Sequence, residues 1–330
     1  MSGVSGQAGL GEFGRIRCFF APLAGPGGLG LMDDAALVEC PPGHQLVVTV
    51  DHAVESVHFL PDDPPDLVAK KLMRRNLSDL AAMGATPKHY LVTTALPAER
   101  GDDWVRRFAE GLGEDQAYYR IDLLGGDSTS ISGPASLTLT AIGEVAKGKE
   151  IRRSGAKPED RIWVSGTIGD AFLGLQVLRG SYPDLTAVDR AALTRRFQLP
   201  EPRTELGPRL AGVAHAMIDV SDGLLADLGH ICEASRVGAT VVLPSLPLSS
   251  AARQLAAIEP GLPARLAGAG DDYELLFTAP PQANDAIGSL AVELALPITA
   301  IGTIEEGAGV RLVDAAGKTI PVRSAGWQHF

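Results

Sequence analysis

Two acids and a hydroxyl crowd four consecutive positions of this chain: Asp219, Ser221 and Asp222, within the stretch AMIDVSDGLLADLGHI, residues 216–231. Ala216 to Val220 is an apolar run holding a single acid and reads as a strand, whereas Leu224, Leu225, Leu228 and Ile231 recur at helical spacing. The carboxylates therefore belong to a strand-to-helix corner. Such corners attract anions, because the first helical N–H groups lack partners and the dipole is positive there. Acids oppose a bare phosphate: like unit charges about 4 Å apart repel by roughly 1 kcal/mol in water and roughly 4 kcal/mol at an effective dielectric near 20. A divalent cation reverses that sign, and Mg2+ takes carboxylates together with substrate phosphates. The alternative is that Ser221 or Asp222 simply caps the helix.

Other acids repeat the pattern. Asp33 and Asp34 open onto a short apolar run, Ala35 to Val38, or are merely solvated surface. QLVVTVDHAVESVHF, residues 45–59, begins as a β-branched strand and places Thr49, Val50 and Asp51 at its C-terminal end; His58 follows, as a ligand or a structural histidine. A helix starting near Asp66 carries a basic face, Lys70, Lys71, Arg74 and Arg75, then turns into the close-packing LSDLAAMGA. Asp79 lies inside that segment, with Asn76 on the same face. A buried, unpaired carboxylate is costly or takes up a proton, so Asp79 reaches water or faces a cation. Ile121 to Leu124 runs as a strand into GGDSTS, where Gly125 and Gly126 admit a ligand close to the backbone and Asp127 is presented at the strand's end. Gly-Gly-Asp is also ordinary turn chemistry. Arg152 and Arg153 offer phosphate-matching forks or a solvated linker, and SGTIGD, residues 165–170, touches phosphate or serves packing. GAGDDYELLF sets Asp271, Asp272 and Glu274 before a strand. In GWQHF, Trp327 either caps the core or stacks on a cationic ring.

The elements that must position these groups come from the wider pattern. At 330 residues and 45% apolar the chain has material for about two domains, and its net charge of −11 argues against nucleic-acid or anionic-membrane partners. Cys18, Cys40 and Cys232 lack metal-ligand spacing and suggest reduced thiols in a cytoplasmic protein. Residues 1–15 read as a flexible tail without a signal-peptide pattern, and no apolar run reaches the length of a membrane span. GPGGLG, residues 25–30, spells GxGxxG but lacks a strand before it and a helix after it, so the dinucleotide reading is rejected. Strands over 88–96, 121–124 and 135–145 and a helix over 99–119 complete the first half. The second half alternates strands at 161–166, 216–220, 238–248, 273–280 and 298–304 with helices at 170–180, 224–231, 249–258 and 282–295, an α/β or α+β layer structure. The charged connector 147–160 divides a domain of residues 16–147 from one of residues 148–330.

Taken together, MDDAALV, TVDHAVESVHF, NLSDLAAMGA, GGDST, RRSGAKP, IDVSDGLLADLGHI, DDYELLF and GWQHF resemble the thiamine-monophosphate kinases of the PurM-like ATP-dependent superfamily, over nearly the whole chain. The resemblance implies a PurM-like two-domain α/β (α+β) fold, whose N-terminal domain pairs its strands with a second copy in a homodimer barrel. It implies transfer of the ATP γ-phosphoryl group to thiamine monophosphate with several Mg2+ ions. By position, Asp34, Thr49, Asp51, Asp79, Asp127, Asp219 and Asp222 match the family's metal ligands. Tyr119, Gly126, Asp127, Arg153 and Ser221 match its ATP contacts, and His58, Asp271 and Trp327 its substrate contacts. Val50 stands where the family usually has a second Thr, Met32 and Ser56 where it has Gly, and Asp271 where it has Glu.

The chemistry of the residues agrees with that family. A phosphate monoester with its second pKa near 6 is mostly dianionic at neutral pH and attacks without a general base. What remains is to bring two polyanions together, and six separated aspartates holding cations suit that task. The P-loop GxxxxGK[ST] and the HRD and DFG kinase set are absent from the sequence. Rival readings are another PurM-like ATP-dependent enzyme, or a non-catalytic, metal-dependent nucleotide-binding module. A selenophosphate-forming relative should carry a Cys or selenocysteine with a Lys in an N-terminal Gly-rich segment, which residues 1–17 lack, and a hydrogenase-maturing one should end in Cys, not in His329 and Phe330.

Overall fold

The computed structural model describes residues 10–321 and 326. Contacts divide the chain into two compact units: residues up to 42, 48–76 and 87–143 in one, and 43–47, 77–86 and 144 onward in the other.

The first unit opens with a helical turn, α1 (Glu12–Arg15), inside the stretch expected as a tail. Asp102 holds it, accepting from Leu10 N at 2.6 Å and from Arg15 Nε at 2.7 Å. A four-stranded sheet follows, in the order β1 (His44–Val54), β4 (Ser136–Ala146), β2 (Thr86–Pro97), β3 (Asp122–Ile131). β2 and β3 are parallel, with a register shift after Tyr90 where the partner skips from Leu123 to Gly125. Two helices accompany the sheet, α2 (Pro65–Ala82), whose residues from Leu77 onward belong to the second unit, and α3 (Asp102–Tyr119). They cross closely where Gly111 meets the backbone of Asp66, a spot with no room for a Cβ. The basic face read from the sequence is largely consumed here: Arg74 makes a buried two-pronged pair with Asp115 at 2.6 and 2.8 Å, and Lys70 reaches Glu114 at 2.5 Å.

The second unit contains a six-stranded sheet, ordered β10 (Gly309–Val313), β7 (Gly238–Val242), β9 (Ile298–Glu305), β5 (Arg161–Ser165), β8 (Leu275–Ala279), β6 (Ala216–Asp219). Only the β10–β7 pair is parallel. Side-chain alternation makes both faces apolar. Ile162, Val164, Ile218 and Leu276 pack with α7 (Leu224–Ser235), while Trp163, Met217, Leu275 and Phe277 pack with Leu206 of α6 (Leu206–Arg209), Leu210 and Ile287. Each fully buried aliphatic side chain of this kind contributes about 1.5–3 kcal/mol. A satellite core joins α4 (Asp170–Leu178), α5 (Ala187–Gln198), α8 (Ser250–Ile258) and α9 (Leu262–Leu266) through Leu173, Leu193, Leu255 and Leu266. Cys18 and Cys40 are exposed and Cys232 is buried, all as free thiols. Among the described residues no helix is long and apolar enough to cross a membrane.

Candidate active site

In the first unit an open cleft of about 440 Å3 lies along β2 and β3. Asp33, Asp34, Gly125, Gly126, Asp127, Thr93, Thr94 and Ser128 give it a polar wall, and Ile16, Phe20, Leu31 and Leu123 an apolar one. The sequence placed Asp127 at a strand end, but β3 runs on to Ile131, so the residue is interior. The strand pairing itself needs a glycine at one of the two positions: Gly126 faces Val92, whose carbonyl oxygen would overlap any Cβ added there, whereas nothing crowds Gly125. The backbone is thus bared along the cleft, and the exposed Asp127 turns Oδ1 back to accept from Ser128 N at 2.8 Å.

Asp51 is likewise interior, since β1 continues to Val54. Alternation puts Thr49 and Asp51 on one face and Val48 and Val50 on the other, where the two valines are 61% and 60% exposed. The Val50 side chain is therefore turned away from the Thr49–Asp51 face. Asp51 lies 3.6 Å from Arg75. Ser56 adopts φ 68, a left-handed backbone that glycine takes without strain. His58 accepts Val54 N on Nδ1 at 3.0 Å, which leaves its ring proton on Nε2 as a donor. Tyr119 packs its ring under the Arg74 guanidinium, 5.4 Å from the centroid, and against Tyr118. Of the residues expected in this unit, Asp34, Gly126 and Asp127 share the cleft; Thr49, Asp51, His58 and Tyr119 do not line it.

The second unit holds the strand-to-helix corner. Asp219 ends β6, 3% exposed, and accepts from Ser78 Oγ at 2.7 Å; Asp79, next along α2, is half-buried. At the corner neither Ser221 nor Asp222 caps the helix: the capping position is Gly223, which has no side chain of its own to accept from the first turn. The N–H groups of Ser221, Asp222 and Gly223 all donate to Asp227 Oδ2, at 3.0, 3.2 and 3.1 Å. An acid from the first turn of α7 thus occupies the backbone donors of the corner. Burial and the nearby Asp222 push Asp227 up to about 7, against those hydrogen bonds.

Alongside runs Asp271–Glu274. Asp271 N donates to Ser221 O and Tyr273 N to Val220 O, each at 2.8 Å, so the segment is laced to the corner. Asp272 is buried and accepts from Gly169 N at 2.6 Å; burial raises it well above the usual carboxylate range. Burial would also raise Glu274, but the Arg203 and Arg196 guanidiniums and the Ser165 hydroxyl outweigh it and hold the acid low. Arg203 grips both Glu274 oxygens, at 2.5 and 2.6 Å, and Arg196 adds a bond at 2.8 Å. Arg153 is exposed, its carbonyl accepting from Ser235 Oγ at 3.2 Å. Trp327 lies outside the described residues. Among those described, no three His, Cys, Asp or Glu side chains gather closely enough to hold an ion unaided.

Two descriptions of the AIR synthase related proteins match this chain, the N-terminal domain over residues 32–145 and the C-terminal domain over residues 157–315. The thiamine-monophosphate kinase of Caulobacter vibrioides is 42% identical over 325 residues, 96% of this chain and 90% of that protein. The chain belongs to the thiamine-monophosphate kinase family. Solved structures agree with it. The thiamine-monophosphate kinase of Stenotrophomonas maltophilia superposes with a TM-score of 0.80 at 42% identity, covering 88% of this chain and 91% of its own. AaThiL complexed with AMPPCP and TMP gives 0.78 at 31% identity over 97% of both chains. The two-domain α/β fold expected from the resemblance is therefore that of the thiamine-monophosphate kinases. Sequence reading missed Asp227, Tyr273, Arg196 and Arg203. Only Asp227 left a local signal, an acid in the first turn after a glycine corner.

Proposed function

We propose that this protein transfers the γ-phosphoryl group of ATP to the phosphate of thiamine monophosphate, giving thiamine diphosphate and ADP. The observation that carries this reading is kinship to the thiamine-monophosphate kinases along almost the entire chain, at up to 42% identity. An acceptor phosphate oxygen forms the new bond to the γ-phosphorus as the bond to the bridging oxygen breaks, its electrons leaving on ADP. The acceptor is already ionised at neutral pH, so the protein supplies position and charge rather than a base.

Asp34, Thr49, Asp51, Asp79, Asp127, Asp219 and Asp222 would hold Mg2+. The fit rests on donor chemistry: every one offers hard oxygen, and Asp34 and Asp127 line one cleft beside the bare backbone of Gly126. Bound Mg2+ would neutralise the facing phosphates and the charge that develops in transfer. Gly126, Asp127, Ser221, Arg153 and Tyr119 are assigned to ATP, with Arg153 meeting phosphate. His58, Asp271 and Trp327 are assigned to thiamine monophosphate, His58 donating from Nε2 and Asp271 facing the cationic thiamine moiety. Residues 16–147 form the metal- and nucleotide-binding domain and residues 148–330 its partner domain in this reading. The protein acts as a homodimer in the cytoplasm. Supporting the first is β1, an edge strand with Leu46, Val48 and Val50 exposed at alternate positions; supporting the second are three free thiols.

The test is to incubate purified protein with Mg-ATP and thiamine monophosphate and to follow thiamine diphosphate by chromatography, with and without a chelator. Product formed only with divalent metal is expected. Nucleotide binding without product would replace the kinase by a non-catalytic binding module.

A further inference from the structure

Asp271 is not left to choose its own direction. Tyr273 Oη donates to Asp271 Oδ1 at 2.9 Å. The tyrosine is 3% exposed, so the donor itself is fixed. Both residues hold a left-handed backbone, φ 72 at Asp271 and φ 54 at Tyr273, which residues with a Cβ keep only where the surroundings impose it. The surroundings do so at the alternate positions. Asp272 is tied to Gly169 N and Ala171 N, and Glu274 to Arg196 and Arg203. The backbone N–H groups of Asp271 and Tyr273 are bound to the corner that carries Ser221. Two buried acids thus pin the segment that leads into β8, and the phenol spans the bend to reach the carboxylate.

We infer that Tyr273 is a positioning residue: its hydroxyl fixes the aim of the Asp271 carboxylate and thereby sets how tightly the acceptor substrate is held. The inference rests on the assignment of Asp271 to the substrate. A phenol donates at neutral pH and favours the ionised acid, and a carboxylate held in one rotamer gives up less freedom on meeting the permanent positive charge of a thiazolium ring.

Tyr273→Phe keeps the ring and removes only the donor. KM for thiamine monophosphate is expected to rise about tenfold, the scale of one hydrogen bond to a charged group. The turnover number and KM for ATP should stay near wild type, and the melting temperature should barely move. Asp271→Asn, run beside it, should raise the same KM, and the double variant should be no worse than Asp271→Asn alone. If Asp271→Asn raises KM while Tyr273→Phe matches wild type, the positioning role is overturned and the substrate assignment stands. Should Asp271→Asn itself leave KM unchanged, the assignment fails and takes the inference with it. Equal losses for both substrates, or additive losses in the double variant, would mark Tyr273 as a general structural residue and overturn the proposal.

Discussion

Ser78 Oγ and Asp219 Oδ2 lie 2.7 Å apart, although 141 positions separate them, and both residues are buried. The bond joins the C-terminal end of α2 to the last residue of β6. Replacing the serine by alanine leaves an almost wholly buried carboxylate one donor short. Ser78→Ala should therefore lower stability by about 1–3 kcal/mol, read by urea denaturation. Thiamine diphosphate formation should fall as well, since Asp219 is among the proposed metal-holding residues. An unchanged midpoint would mean that the hydroxyl adds nothing to holding Asp219.

At Gly126 the added atom, not a lost one, should do the damage. A Cβ facing Val92 O must push β3 away from β2. Gly126→Ala is expected to cost about 1–3 kcal/mol as overpacking and to weaken the ATP binding proposed for the cleft. Calorimetric titration with a non-hydrolysable ATP analogue would reveal it; wild-type affinity would show that the strands part without cost.

Glu274 is a buried charge shared by two arginines. Glu274→Gln removes the buried counter-ion of Arg196 and Arg203 and leaves them only the more exposed Glu201, at 4.0 and 3.5 Å, a loss of about 3–5 kcal/mol at neutral pH. The folded pKa lies below the ordinary carboxylate value, so the contribution is present above that value and is lost as pH falls through the folded one. Acid denaturation should accordingly show the gap between wild type and variant closing as the medium becomes more acidic. A gap that persists at low pH would place the damage in packing instead.

The opposite sign holds at Asp227. Its folded pKa is raised from 3.8 to about 7, so its contribution is complete below 3.8 and is lost as pH rises through about 7. Asp227→Asn removes the titration while keeping an oxygen for the three N–H groups. Melting temperatures taken between pH 4 and 8 with chelator present should fall less steeply for the variant than for wild type. Parallel curves would argue that burial does not hold the proton on this acid.

Legibility in the sequence followed the range of the forces involved. The corner at Asp219–Gly223 was readable because periodicity switches there from strand to helix within five residues. Asp127 lies inside β3 rather than at its end because the apolar run stops at Leu124 while the pairing with β2 continues through Gly126 and Val92 to Ile131. α5 went unseen: Val188 is 78% exposed, and Leu193 and Phe197 are the buried residues among twelve, too few to draw a stripe. Its Thr186 cap, bonded to Asp189 N, was the available hint. Arg196 and Arg203 meet Glu274 from 78 and 71 positions away, a pairing no window of sequence contains.

The three thiols differ in a way that can be put to use. Burial and Glu305 push Cys232 up to about 11, so it stays protonated and out of reach of alkylating dyes at neutral pH. Cys18 and Cys40 are exposed and fall in the same compact unit as the Asp34–Asp127 cleft. A maleimide fluorophore added to the unmodified protein would settle there alone, giving an optical probe of the proposed nucleotide binding at that cleft without any engineered cysteine.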